Sequence, residues 1–140
     1  MYALLREYLQ PLGAGRAKIS PADARRGDRT HNRVQPDMFV GPVADGKRPA
    51  YPHDLHDLLL AVEVVSPINP RLDYHIKREL YLRDGVGEYW VVNPDARKVS
   101  RWRGRDDPGE WLSERIEWSL PDAAQPFVLM LPEFFDEALR

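Results

Sequence analysis

A glutamate interrupts the most apolar segment of this sequence. Glu63 lies in the run Leu58 to Val65, where every other residue is leucine, alanine or valine. Such a run is typical of a strand that is covered on both faces of a sheet. An unpartnered carboxylate there is costly to bury, so one is usually kept where something offsets the cost, often in a functional site. Taken alone, Glu63 could equally lie at an exposed strand end and pair with an arginine.

A second carboxylate stands at the start of another short apolar segment. Asp37 follows Pro36 and precedes the apolar residues Met38, Phe39 and Val40. An aspartate in this position is by itself more often a turn residue. Two carboxylates on adjacent strands, however, would supply the oxygen ligands that Mg²⁺ or Mn²⁺ takes, with water and a substrate phosphate in the remaining positions.

Lysine 77 is the third candidate for chemistry. Lys77 lies four residues after Asp73 on a predicted helix. The simplest interpretation is an exposed ion pair between positions i and i+4, worth about 0.3–0.5 kcal/mol. His53 and His56 are three residues apart but lack the further ligands that a zinc site needs, so they are assigned no role.

Other basic and aromatic residues are weaker candidates. Arginines near the site could contact phosphate groups, but ordinary solvated surface is the favoured interpretation for each of them. The tryptophans are expected to pack on the sheet rather than stack on bases. These residues are Arg25, Arg26, Arg29, Arg71, Arg78, Arg83, Arg97, Lys98, Arg101, Arg103, Arg105, Trp102, Trp111 and Trp118.

Proline and glycine divide the chain into the elements that must position these residues. Helices are predicted at residues 1–10, 71–84 and 133–139, the second with an apolar stripe of Leu72, Ile76 and Leu80. Strands are predicted at residues 17–20, 37–40, 58–65, 88–92, 98–103, 111–118 and 127–131. Residues 25–34 and 41–52 are expected to be irregular. A right-handed crossover through the second helix should place 58–65 beside 88–92 in an α/β or α+β sheet.

The composition restricts the class of protein. At 140 residues the chain is expected to be one domain. Because it has no cysteine, disulfides, thiolate metal sites and cysteine nucleophiles are excluded. The net charge of −2 argues against bulk coating of nucleic acid but leaves room for a local basic patch. No run approaches the roughly 20 apolar residues of a membrane span, so no membrane partner and a cytoplasmic location are expected.

Three segments together resemble a known family. VQPDMFV, LLLAVEVVSP and DYHIKRELYLRDGVGEYWVVNP are similar in order and spacing to the signature of the Uma2 family of restriction-endonuclease-like proteins, a branch of the PD-(D/E)XK nuclease superfamily. The resemblance runs from about Ile19 to Val99. It implies an α/β fold with a restriction-endonuclease-like mixed β-sheet flanked by helices and a C-terminal β-hairpin extension, in a single nuclease-like domain over residues 1–140.

The resemblance also implies roles for particular residues. Asp37 would be the aspartate of the PD element, Glu63 the second metal-binding acid, and the backbone carbonyl of Val64 a further metal ligand. The superfamily's lysine normally follows two residues after that glutamate, where this chain has Val65. Lys77 matches the position that relatives with this departure use, so the catalytic set would be Asp37, Glu63 and Lys77. Asp73 and Tyr81 match the family pattern as orienting or packing residues.

The activity implied is that of an endonuclease that uses Mg²⁺ or Mn²⁺ to hydrolyse phosphodiester bonds of DNA. The family usually has an N-terminal strand and half-helix before the point where this chain begins. Their absence leaves an alternative open: a catalytically inactive nuclease-fold module for binding or assembly, which could be a homodimer. A third interpretation, in which Asp37 and Glu63 form structural ion pairs with arginine, fits the motif order least well.

Overall fold

A computed structural model describes residues 1–20, 24–25, 33–43 and 53–140. Helices α1 and α3 lie near the two ends, and α2 continues directly from a π-helical segment, Leu72–Lys77; these two together are called the crossover helix. A short 3₁₀ turn covers Leu55–Asp57. The elements are α1 Tyr2–Leu9, β1 Gly15–Ile19, β2 Ala24–Arg25, β3 Arg33–Val34, β4 Met38–Pro42, β5 His53–Asp54, β6 Leu60–Val64, α2 Arg78–Arg83, β7 Tyr89–Asn93, β8 Lys98–Trp102, β9 Glu110–Leu112, β10 Arg115–Trp118, β11 Phe127–Met130 and α3 Leu131–Ala138.

A six-stranded mixed sheet organises the molecule, with strand order β1-β4-β6-β7-β8-β9. Strands β6 and β7 are parallel and are joined by the crossover helix, whereas the other neighbouring pairs are antiparallel. Strands β10 and β11 form a separate antiparallel sheet near the C-terminus. The predicted fold class, a mixed sheet flanked by helices with a C-terminal hairpin, is confirmed.

The alternation of side chains along the strands divides the core into two layers. Val62 and Trp90 point to the face covered by α1, α3 and the β10–β11 hairpin. Ala61, Tyr89 and Val91 point to the opposite face, which the crossover helix covers. Both faces of the central strands are covered, and this explains why β6 is apolar at every position except Glu63.

The apolar stripe predicted on the crossover helix is wrong in part. Ile76 is 52% exposed, while Asp73 and Tyr81 are buried against the sheet. The physical reason is the π-helical start, which takes up more residues in each turn than an α-helix and so shifts which side chains face inwards. A stripe derived from 3.6 residues per turn therefore has the wrong register here.

Residues 111–118 form two strands and not the single strand that was predicted. β9 is an edge of the six-stranded sheet, and β10 pairs with β11 in the other sheet. The break falls between Leu112 and Arg115, where the chain passes from one sheet to the other. Ser113, Glu114 and Arg115 are all polar, so the apolar–polar alternation is interrupted at the break, and the single-strand prediction passed over this signal.

The segments predicted to be irregular contain short strands at their margins. β2 pairs with β3 and also with β5 in a small three-stranded sheet, so residues 25–34 are not wholly a loop. Gly41 and Pro42 belong to β4. Residues 26–32 and 44–52 of the same predictions lie outside the described residues. Within the described ranges, no helix has the length and apolar character to cross a bilayer.

Candidate active site

Strand pairing brings Asp37 and Glu63 together. Strands β4 and β6 are antiparallel, with Met38 opposite Val62. Asp37 precedes Met38 and Glu63 follows Val62, so the two acids occupy facing positions, where side chains lie on the same side of the sheet. That side is the one covered by the crossover helix. Glu63 is 1% exposed there, so it does not lie at an open strand end.

The backbone of β6 holds the Asp37 carboxylate in place. Its Oδ2 accepts a hydrogen bond of 2.8 Å from the backbone N–H of Val64. Asp37 also lies near enough to Glu63 to raise the pKa of that carboxyl group. Asp37 is therefore fixed at the end of β6, beside the second acid.

The crossover helix supplies the other partners of Glu63. The Tyr81 hydroxyl donates a hydrogen bond of 2.8 Å to Glu63 Oε1. Lys77 Nζ lies 3.4 Å from Glu63 Oε2 and 3.4 Å from Asp73 Oδ1. The Lys77–Asp73 pair is thus more than an exposed helical ion pair, because both of its acidic neighbours are almost completely buried. Among the described side chains, the contacts to Glu63 come from a phenol and an ammonium, and none comes from the guanidinium that a structural ion pair with arginine would need.

Asp73 fixes the beginning of the crossover helix. Its Oδ2 accepts a hydrogen bond of 2.8 Å from the backbone N–H of Ser66, just beyond β6. The Tyr89 hydroxyl donates to the Asp73 backbone carbonyl at 2.6 Å, and the Tyr89 ring meets the Tyr81 ring edge to face at 5.4 Å. These contacts tie the helix to β6 and β7, and so set the position of Lys77.

Burial and the neighbouring groups shift the pKa values of the residues in the site. Burial raises the pKa of Glu63 from 4.5 to about 7; the Lys77 ammonium and the Tyr81 hydroxyl oppose that rise, while the Asp37 carboxylate adds to it. Burial and the nearby Glu63 raise the pKa of Tyr81, which therefore stays a hydrogen-bond donor. Burial alone would lower the pKa of Lys77, but Glu63 and Asp73 raise it overall, so Lys77 stays charged. Near neutral pH, Glu63 is the group that can gain or lose a proton.

The donor set suits a hard divalent cation. Two facing carboxyl groups supply only oxygen atoms, which Mg²⁺ and Mn²⁺ prefer. A cation between them would remove the repulsion that a proton on one of them removes. The backbone N–H of Val64 contacts Asp37, and the Val64 carbonyl stays a predicted ligand.

A second group of potential ligands lies before β6. Asp54, His56 and Asp57 offer atoms that all lie within 4.8 Å of one another. His56 is exposed, and its Nε2 is 3.3 Å from Asp57 Oδ1. The sequence analysis assigns no role to His53 or His56 and does not predict the group of Asp54, His56 and Asp57. It lies before the first residue of β6, whereas Glu63 is near the last.

Three of the arginines between residues 97 and 105 form ion pairs. Arg103 Nε lies 2.7 Å from Glu88 Oε1, Arg97 pairs with Asp136, and Arg101 pairs with Glu110. On the crossover helix, Arg83 pairs with Asp84 at 3.4 Å. Arg26 and Arg29 lie outside the described residues, as does the side chain of Arg25. Of the described arginines proposed for phosphate contact, Arg71, Arg78 and Arg105 form no ion pair.

A comparison with protein families identifies the chain. The family model described as "Uma2: Putative restriction endonuclease" matches residues 1–135. The chain belongs to the Uma2 family. The description of the family indicates a restriction-endonuclease-like nuclease, which acts on nucleic acid. The resemblance predicted from the three sequence segments is thereby confirmed.

A solved structure supports the fold of this Uma2 protein. The crystal structure of a "putative nuclease belonging to DUF820" from Anabaena variabilis ATCC 29413 matches with a TM-score of 0.67 and 20% sequence identity. The match covers 96% of this chain and 75% of the other. A search of curated proteins gives no match. At this level of identity the likeness shows a shared fold.

The structure brings together Asp37, Glu63 and Lys77, the three residues predicted for the site, but sequence reasoning missed how they are connected. It gave Tyr81 an orienting or packing role without foreseeing its hydrogen bond to Glu63. It also missed the contact from Asp73 to the backbone of Ser66. The signal available was the four-residue spacing of Asp73, Lys77 and Tyr81, which places three polar groups on one side of the crossover helix.

Proposed function

We propose that this Uma2 protein is a metal-dependent endonuclease that hydrolyses phosphodiester bonds of DNA. Asp37, Glu63 and the backbone carbonyl of Val64 would bind Mg²⁺ or Mn²⁺, and Lys77 would complete the catalytic set of Asp37, Glu63 and Lys77. The observation that carries the proposal is the facing placement of two carboxyl groups at the end of β6, with a lysine ammonium 3.4 Å from one of them. This grouping corresponds to the acids and the displaced lysine of the PD-(D/E)XK superfamily.

Each residue would have a separate task. When bound, the divalent cation would polarise the scissile phosphate and lower the pKa of a water molecule towards neutrality. Lys77, kept charged by its two acidic neighbours, would offset negative charge that develops on the phosphoryl oxygens. The Val64 N–H would hold Asp37 in place, and Tyr81 would hold Glu63. Asp73 would position Lys77.

Metal binding provides the first test of this proposal. Calorimetric titration with Mn²⁺ should detect a site in the wild-type protein that is lost in Asp37→Asn and Glu63→Gln. Both variants keep one acceptor oxygen, so Asp37→Asn can still accept from the Val64 N–H, whereas Glu63→Gln can keep only one of the contacts to Tyr81 and Lys77. Asp57→Asn is the matched control, because it removes a carboxylate from the other potential ligand group. Loss of binding in that variant alone would move the cation to the Asp54, His56 and Asp57 group and refute the proposed site.

DNA cleavage provides the second test. The wild-type protein should nick supercoiled plasmid when Mg²⁺ or Mn²⁺ is present and not in EDTA, and Glu63→Gln should be inactive under both conditions. A Lys77→Ala variant that cuts at the wild-type rate would remove Lys77 from the catalytic set. A wild-type protein that neither binds metal nor cuts DNA or RNA would refute the nuclease proposal and leave the inactive binding or assembly module.

A further inference from the structure

A groove of about 410 Å³ lies between the crossover helix and the edge of the six-stranded sheet. Its walls come from the early turns of the helix on one side and from β8 and β9 on the other. The principal lining residues are Arg71, Tyr74, His75, Arg78, Trp102 and Trp111.

The groove runs beside the candidate active site. Tyr74 and Arg78 line it, and each directly follows a residue of the site, Asp73 or Lys77. Consecutive residues are separated by about 100° around the axis of an α-helix and by less in a π-helix, so the groove and the site occupy adjacent sides of the crossover helix. The Tyr74 hydroxyl accepts a hydrogen bond of 3.1 Å from Asn93 Nδ2, which anchors the groove to the end of β7.

The charge of the groove is positive. Arg71 is exposed, and neither it nor Arg78 forms an ion pair with any residue in the described part of the chain. Arg78 places its guanidinium 5.1 Å from the centre of the Trp102 ring, a contact that leaves its N–H groups free to bind an anion. No aspartate or glutamate is among the described lining residues. Phosphate groups are the anions that such arginines bind best.

An exposed aromatic ring closes the groove on the other side. Trp111 is 59% exposed, although an indole of this size normally lies largely inside a protein. It meets the buried Trp102 ring edge to face, with ring centres 5.8 Å apart and planes at 79°. The contact holds the Trp111 ring in place without stacking on it, so ring surface remains open. The interpretation of the tryptophans as sheet packing holds for Trp102 and Trp118, but it accounts for only part of Trp111.

We propose that this groove binds an unpaired stretch of nucleic-acid strand, with a base stacked on Trp111 and the neighbouring phosphates on Arg71 and Arg78. Open aromatic rings together with cationic side chains are what proteins use to hold single strands, since every base has a face to stack. A base paired within a duplex cannot reach the ring. This inference rests on the proposed function, from which it takes nucleic acid as the ligand. It adds that the protein should prefer substrates with an unpaired segment beside the cut.

Equilibrium binding without metal tests the groove separately from cleavage. Fluorescence anisotropy in EDTA would compare a labelled 12-nucleotide single strand, as DNA and as RNA, with a 12-base-pair duplex. The wild-type protein should prefer the single strand. Trp111→Leu, which keeps an apolar side chain against Trp102, should weaken single-strand binding about 5- to 100-fold, the effect of removing one stacked base. Trp111→Phe should stay within a few-fold of wild type, and thermal unfolding of each variant checks that the fold is retained.

Salt dependence tests the arginines. Arg71→Gln should reduce the slope of log affinity against log salt by about 0.7, the value for one phosphate contact with a single strand. Arg83→Gln is the matched control on the same helix, because Arg83 pairs with Asp84 and does not line the groove. Its slope should equal that of wild type.

Three results would refute the proposal that the groove binds a single strand. They are no single-strand binding by the wild-type protein, equal single-strand binding by wild type and Trp111→Leu, and a preference for the duplex that Trp111→Leu does not change. If metal-dependent nicking is present together with any of these, the nuclease proposal stands and only the groove fails. If single-strand binding requires Trp111 but no substrate is cut, the proposal of a single-strand binding groove is supported and the nuclease proposal is refuted.

Discussion

Replacing Glu63 by glutamine should change how the stability of the metal-free protein depends on pH. The unfolded chain releases the Glu63 proton near pH 4.5, whereas the folded protein holds this proton until about pH 7. Between these values the folded state binds more protons than the unfolded state, so the free energy of unfolding falls as pH rises through this window. Glutamine cannot titrate, so the variant lacks this contribution.

The size of the effect follows from the change in pKa. A tenfold change in an equilibrium constant corresponds to about 1.4 kcal/mol, so a pKa that moves from 4.5 to about 7 represents about 3 kcal/mol in full. Most of this, about 2–3 kcal/mol, develops between pH 5 and pH 8. Any difference between a neutral glutamic acid and glutamine in their fixed contacts is the same at both pH values. The change with pH therefore isolates the ionisation of Glu63.

Urea unfolding in EDTA, followed by tryptophan fluorescence, measures this change. Glu63→Gln should gain about 2–3 kcal/mol relative to wild type from pH 5 to pH 8, whereas the exposed Glu79→Gln on the same helix should track wild type. In a parallel titration without EDTA, Mg²⁺ at 100 times its dissociation constant should stabilise the wild type by about 2.7 kcal/mol and leave Glu63→Gln unchanged. A wild-type-to-variant difference that is flat from pH 5 to pH 8 would refute the reasoning, because Glu63 would then titrate as it does in the unfolded chain.

Three further substitutions have expected outcomes in the same unfolding assay. Tyr81→Phe removes a donor to Glu63, so it should cost about 1 kcal/mol at pH 8 and move the pH window upwards; an unchanged window would contradict the role given to that hydroxyl. Lys77→Met leaves two buried acids without their shared cation and should cost about 1–3 kcal/mol at pH 8 but less at pH 5, where Glu63 is protonated; an equal cost at both values would contradict the pairing. Gly109→Ala should cost more than about 1 kcal/mol, because Gly109 has φ +87° and an added Cβ would lie 2.2 Å from Trp102 Nε1. Gly104→Ala is its control, with nothing within 4 Å of an added Cβ, and equal stability of the two alanine variants would count against the steric explanation.

The sheet and its connection were predictable because they depend on local features. The run that contains Glu63 is apolar enough to require cover on both faces, and a helix between two such strands implies a parallel pair. The facing positions of Asp37 and Glu63 were not accessible in this way. They depend on the register between β4 and β6, which tertiary packing sets and which no pattern within either strand encodes.

The errors have physical causes of the same kind. The π-helical start of the crossover helix changes which residues face the sheet, and the sequence has no signal for an extra residue in a turn. Lys77 was interpreted as half of an exposed pair because Asp73 was the only acid in sequence range. Its second partner, Glu63, is fourteen residues away in sequence, and only the docking of the helix on the sheet brings the two together.

The charges of the site explain how Asp37, Glu63 and Asp73 can lie together beside the crossover helix. With Glu63 protonated, Asp37 and Asp73 carry two negative charges against the one positive charge of Lys77, which leaves a net charge of −1. If Glu63 loses its proton the net charge becomes −3 + 1 = −2, a state that burial makes costly and that holds the pKa of Glu63 near 7. A divalent cation between Asp37 and Glu63 would bring the same cluster to zero. A proton on Glu63 removes part of the negative charge that the proposed cation would offset, so the two proposed ligands can face each other in the metal-free protein.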